Sequence, residues 1–238
     1  QGTYQKRRFV VRADDGVVLH DENMILSCSP TEMPLGALFA AGLGEVTGQV
    51  RGSVTTTTQA AECALELPDS MPYAAVTSGG TTVYADAEGY FSHPHSGGNA
   101  SFGGTLGGQW FSVNNEAGST TTSSTTGSSG DDISILYNAT PSSLVTAQTN
   151  AYREANLARD MVLEFNPSFP VVATQTGFPI NVNLGSTCNA FYDYSSINFY
   201  QAGGSCNNTA FSVVVHHEYG HHLVSSGGSG QGEYGEGM

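Results

Sequence analysis

Two histidines, His217 and His221, bracket a glutamate in the run His217-Glu218-Tyr219-Gly220-His221. This spacing constrains the fold, because a helix brings the two rings together. There each residue turns about 100°, so positions i and i+4 stand one above the other on one face. The surrounding residues agree. Ala210, Val214, His217, His221 and Val224 step by four, three, four and three, while Phe211, Val215, Glu218 and His222 form the neighbouring stripe. The pattern predicts a helix from about Thr209 to about Val224, with both histidines facing the core. Two imidazoles so placed can bind one zinc ion, and the intervening glutamate would reach the metal's water rather than the metal.

Zinc held by two histidines takes a third protein ligand and keeps one position open. The continuation HExxHxxGxxH would supply a histidine at position 227, where a glycine stands. The segment Gly232-Glu233-Tyr234-Gly235-Glu236-Gly237-Met238 offers two carboxylates, and either would complete a His₂Glu set. The competing reading is a helix whose surface histidines spell the motif by chance. Other constellations are weaker. His93-Pro94-His95 reads as a solvated loop before it reads as a metal turn, and Asp131-Asp132 lacks the spaced ligands and glycine of a calcium loop. Calcium therefore has no support beyond that acidic pair. No Ser/His/Asp arrangement, P-loop or dinucleotide fingerprint stands out.

Residues 117–130 are Gly, Ser and Thr apart from Ala117, and with little to bury they are expected to form a flexible linker. A long loop within one domain is the alternative. Upstream, the short β-branched or aromatic runs 47–55, 81–85 and 109–113, bounded by turn residues, predict a β-sandwich-like region. A helical period is visible only around 35–43. Downstream, Thr140-Pro141 opens a helix carrying Ala147, Ala151, Ala155, Ala158, Val162 and Phe165 on one stripe. Strand-like runs follow at 170–174, 179–184 and 195–200, ahead of the histidine helix. The expected class is α+β. The expected divisions are an N-terminal segment 1–43, a β-rich accessory domain 44–116, the linker 117–130 and a catalytic half 131–238.

The run Tyr84-Ala85-Asp86-Ala87-Glu88-Gly89-Tyr90-Phe91, with Gly48-Gln49-Val50 before it and Gly107-Gly108-Gln109-Trp110 after it, resembles the carboxypeptidase-regulatory-like sandwich, an accessory module without chemistry. A second resemblance bears on function. His217-Glu218-Tyr219-Gly220-His221 followed by Gly235-Glu236-Gly237-Met238 resembles the gluzincin metallopeptidases, above all the fungalysin family with its HEYTH and GEGWSD. Asn189-Ala190-Phe191-Tyr192 resembles the N-A-F-W/Y segment of the thermolysin-like enzymes. The resemblance spans residues 188–238. It implies a thermolysin-like N-terminal catalytic subdomain, a mixed sheet plus the zinc helix, with Glu236 as third zinc ligand and Glu218 as general base. Asn189 and Ala190 would hold substrate backbone along an edge strand. The family pattern continues with Ser-Asp and a helical subdomain, so residues 131–238 read as a catalytic half truncated at its C-terminus, which a separate C-terminal chain would complete.

Charge sets the function classes that remain. The chain holds 7 Lys+Arg against 21 Asp+Glu, a net charge of −14. No surface here could neutralise a row of phosphates, so nucleic acid is not expected as a partner. No apolar run is long enough to span a membrane as a helix. The four cysteines fall in two sequence-local pairs, Cys28 with Cys63 and Cys188 with Cys206. They read as two disulfides in an oxidising compartment, with four free thiols as the alternative. No apolar leader precedes Gln1, which fits a mature secreted chain. The sequons at Asn99, Asn138 and Asn207 matter only if the source glycosylates. The expectation is a secreted zinc metalloendopeptidase with one zinc ion and a peptide or protein substrate. Its rival is a non-catalytic structural or binding protein, or a proteolytic fragment, that retains the metal site.

Overall fold

The structure is a computed structural model that describes residues 7–11, 18–23, 44–56 and 65–228. It comprises two compact units, Gln1–Gly42 and Leu43–Met238. The boundary lies one residue from the expected end of the N-terminal segment. In the first unit β1 (Arg7–Val11) and β2 (Val18–Asn23) pair antiparallel, with a register irregularity between Val10 and Val11. Cys28, Cys63, Glu236 and the helical period around 35–43 lie outside the described residues.

The second unit is α+β. Its longest strand, β3 (Gly44–Thr55), alternates buried and partly buried positions, as a half-buried strand does. Val46, Gly48, Val50, Gly52 and Val54 share the buried face. Glycine is required at two of these positions by close approach. A Cβ on Gly48 would lie 2.1 Å from the carbonyl oxygen of Ile133 and 2.9 Å from the Phe91 ring, and one on Gly52 would meet the end of Met71 at 2.9 Å. Along one side of β3 runs β11 (Asp132–Tyr137), in parallel. Along the other run β7 (Tyr90–His95) and then β4 (Glu66–Ser70), both antiparallel. A second sheet has the order β10-β8-β5-β6, built from β5 (Ala75–Ser78), β6 (Thr81–Tyr84), β8 (Ala100–Thr105) and β10 (Thr122–Gly127).

The expected linker is therefore corrected. Six of its residues form β10, paired antiparallel to β8 from Thr122 opposite Thr105 to Gly127 opposite Ala100. Its hydroxyls reach β11: Ser123 Oγ donates to Leu136 O at 2.8 Å and Thr125 Oγ1 to Ser134 O at 2.6 Å. A strand needs partners for its backbone more than it needs apolar side chains, and threonine suits the pleat. Nor do 44–116 and 131–238 separate into two domains. β3 of the former pairs with β11 of the latter, and β9 (Phe111–Asn115) pairs in parallel with β12 (Phe178–Leu184). The β-rich character expected of 44–116 is present, spread over sheets that both regions share.

The third sheet positions the site. Its order is β13-β14-β12-β9, with β9, β12 and β14 (Ile197–Tyr200) parallel and β13 (Ala190–Tyr192) antiparallel at the edge. Phe191, Asn198, Asn181 and Asn114 stand in one cross-strand row. Asn114 Nδ2 donates to Asn181 Oδ1, and Asn181 Nδ2 to Asn198 Oδ1, both at 2.8 Å. The run 170–174 is not a strand. It forms turns, with Val171 at φ +65° and Val172 buried.

Helix α1 (Ser143–Phe165) lies against β3, β9 and β12. It starts two residues later than Pro141, with Ser142 at the N-cap. Ala147, Ala151, Ala155 and Ala158 are buried as their period predicts, but Phe165 is exposed. The same helix buries polar side chains whose partners are backbone groups. Thr149 Oγ1 donates to Ser53 O at 2.6 Å, and Asn150 accepts from Thr55 N at 3.0 Å while donating to Ala210 O at 3.1 Å. Each such bond contributes about 1 kcal/mol net, and orphaning a buried partner costs more. Through Asn150 the helix also sets where the chain enters α2 (Ser212–Gly227).

Candidate metal centre

α2 follows β14 and packs on α1, β13 and β14. It ends at Gly228, whose φ of +67° supplies the left-handed cap that glycine adopts without strain. The buried residues of α2 are Val215, Glu218, Tyr219 and His222. This corrects the expected core face. The stripe through His217 and His221 turns toward the more open side, His217 exposed and His221 half-buried, and the neighbouring stripe enters the core. A metal on this face would be reachable from solvent, as an open coordination position requires.

The two rings converge. His217 Nε2 and His221 Nε2 lie 3.1 Å apart, with ring planes 88° from parallel. Two nitrogens about 2.0–2.1 Å from a tetrahedral zinc would be about 3.3 Å apart, close to the separation of this pair. Among the described residues no group of three or more His, Cys, Asp or Glu could hold a metal. The pair is what they supply, and the proposed third ligand Glu236 lies outside them. Glu218 is buried, 5% exposed, on the adjoining face.

His222 was not singled out from the sequence, yet it anchors the helix. Its ring stacks on Phe178 at 4.3 Å. Its Nε2 donates to Gln175 Oε1 at 2.8 Å, which leaves Nδ1 to accept from the Tyr192 hydroxyl at 3.2 Å. Burial disfavours the imidazolium, and the pKa is pushed down to about 4. Tyr219 packs edge-on against Phe111 at 5.5 Å and Phe178 at 6.3 Å. His216 is tied to α1 through Glu154 Oε2 at 3.0 Å. Burial pushes the Glu154 carboxyl up, but the His216 bond and the Arg153 charge outweigh it and hold the pKa below the ordinary value. The sequence signal for His222 is its place on one helical stripe with Val215, beside the stripe that carries the HExxH histidines.

Asn189 and Ala190 sit at the start of edge strand β13. Asn189 is exposed, and its main-chain carbonyl accepts from Thr209 Oγ1 at 3.0 Å. Ala190 is half-buried against the core. The preceding residue is cross-linked, Cys188–Cys206 with Cα atoms 5.2 Å apart, as its sequence-local pairing predicted. The disulfide closes a loop around β13 and β14. The other histidine pair does not form a metal turn. His93 is buried within β7, with Nδ1 3.0 Å from Pro94 O and Nε2 3.1 Å from Thr81 O, while His95 Nε2 bonds Gly98 O at 2.7 Å. Asp131 and Asp132 are likewise occupied, accepting from Ser128 N and Thr47 Oγ1. No helix among the described residues is long and apolar enough to cross a membrane.

The site belongs to an α+β protein with a two-histidine helix beside an edge strand. No protein-family model matches the chain, and a search of curated proteins finds no match.

Proposed function

We propose that the chain is a zinc-dependent endopeptidase of the gluzincin type, acting outside the cell. The observation that carries this is the 3.1 Å convergence of His217 Nε2 and His221 Nε2 on a helix packed against edge strand β13. The thermolysin-like reading of the subdomain draws support from a mixed sheet with one antiparallel edge strand, followed by the histidine helix. A disulfide is compatible with an extracellular setting.

In this reading His217, His221 and Glu236 would hold the ion. Bound zinc supplies a Lewis acid that polarises a carbonyl and makes water acidic near neutral pH. Glu218 takes a proton from the attacking water and returns it to the leaving amine, general acid–base work that contributes about 10²–10⁴-fold. Asn189 and Ala190 hold the substrate extended along β13, whose outer edge has no partner strand among the described residues. Substrate backbone would then add as one more strand.

The test is metal content together with zinc-dependent cleavage of an unfolded protein such as reduced casein, compared between the wild type and Glu218→Gln. Zinc bound by both proteins, with cleavage only by the wild type, supports the enzyme. Zinc bound by both with cleavage by neither supports the second reading, a binding protein that retains the metal site.

A further inference from the structure

Two residues beyond the end of β13, Tyr194 is 82% exposed and holds φ at +70°, a left-handed conformation that a bulky residue rarely adopts. Its presentation is built. Asp193 Oδ1 accepts from the backbone N–H of both Ser195 and Ser196, at 2.9 and 2.7 Å, and from Ser195 Oγ at 2.8 Å. Asp193 Oδ2 accepts from Ser196 Oγ at 3.0 Å. Burial pushes the Asp193 carboxyl up, but these donors together outweigh it and hold the group below its ordinary pKa, so it stays anionic. The Tyr194 ring leans on Tyr192 at 5.4 Å, and Tyr192 in turn bonds His222 on α2. An exposed aromatic is thus held by a braced turn where edge strand β13 ends, a strand whose outer side has no partner strand among the described residues.

The surrounding charge selects what such a ring would meet. From residue 43 onward the chain has three arginines, no lysine and sixteen acids. The arginines are engaged: Arg51 donates to Pro68 O, Arg153 pairs with Asp69 and Glu154, and Arg159 lies over Trp110 while pairing with Asp160. From residue 43 onward each arginine thus has a partner within the fold, and the excess of sixteen acids over three bases attracts basic ligands rather than acidic ones. A tyrosine face with an adjacent carboxylate suits a guanidinium or ammonium group.

We propose that Tyr194 is a specificity-determining contact, an aromatic platform at the end of β13 that receives an arginine or lysine side chain of an extended peptide. This rests on the peptidase reading for its substrate.

Binding of short peptides to the full chain carrying Glu218→Gln, which removes turnover, tests it. The series is one alanine-based peptide bearing a single Arg, Leu or Glu. The Arg peptide should bind about three- to tenfold tighter than the Leu peptide, with Glu weakest, and the gap should narrow as salt is raised. Adding Tyr194→Ala should close the Arg–Leu gap, and Tyr194→Phe should restore it. With the Glu218-intact chain the same preference should appear in KM rather than kcat. Equal binding of Arg and Leu peptides, or a gap that survives Tyr194→Ala, would overturn the assignment. An Arg preference that depends on Tyr194 in a chain that cleaves nothing with zinc would leave this contact standing and sink the peptidase reading.

Discussion

The imidazole of His222 lies 4.3 Å from the ring of Phe178 with the two planes 24° from parallel, so a residue next to a proposed metal ligand serves as part of the core. The contact explains why α2 holds its rotation. Turning the helix to bury His217 and His221 instead would expose His222 together with Val215 and Tyr219.

The neutral state of His222 makes stability depend on pH. Its folded pKa of about 4 is below the ordinary 6.5, so between those values the unfolded chain binds the extra proton. Stability should be fully present above pH 6.5, fall as the pH drops, and lose its dependence on this group below pH 4. We expect a loss of about 2 kcal/mol after allowing for partial solvent screening. Thermal unfolding of the metal-free chain across this range measures it. His222→Gln should flatten the slope, and an unchanged slope would reject the assignment.

His217→Ala and His221→Ala should each weaken zinc binding by more than about 100-fold, since loss of a direct ligand exceeds loss of an outer hydrogen bond. Glu236→Ala should do the same, whereas Glu233→Ala should not. Competition against a chelating dye gives all four affinities. Equal losses for Glu233→Ala and Glu236→Ala would remove Glu236 as the specific third ligand.

Cys188→Ser with Cys206→Ser should lower stability by about 3 kcal/mol on the loop-entropy model for a bridge of sequence separation 18. Denaturant midpoints read this directly. Exchange of the β13 amides should also quicken, because the bridge holds the residue before Asn189. A double variant with wild-type stability and protection would show that the bridge constrains nothing.

Gly48→Ala should cost about 2–4 kcal/mol, because the new methyl meets the Ile133 carbonyl oxygen of a neighbouring strand, which cannot rotate away. Gly44→Ala has nothing within 4 Å of the added atom, although its φ of +137° carries a backbone cost. The ordering Gly48 worse than Gly44 in urea unfolding is the checkable outcome, and the reverse would mean that β3 and β11 are not in contact at this register.

Local periodicity made much of this chain legible. The i, i+4 spacing of His217 and His221 places both rings on one helix face by helical geometry alone. The alanines at 147, 151, 155 and 158 mark the buried face of α1, and the sequence-local pairing of Cys188 with Cys206 is realised. Which of two adjacent stripes on α2 enters the core was a different kind of question. Both carry apolar residues, and only the partners at hand, Phe111 and Phe178 from β9 and β12, settle it in favour of Val215, Tyr219 and His222.

The stretch 117–130 draws the same line from the other side. Its composition of Gly, Ser and Thr determines only that it buries little apolar surface. That six of its residues form β10 was decided by the carbonyls of Leu136 and Ser134 and by the backbone of β8, which lie on other strands. Helical spacing and loop closure are properties of neighbours along the chain, so residue types and intervals determine them. Strand pairing and the choice of a buried face depend on which distant backbone and rings arrive to satisfy them, and only the tertiary structure supplies those.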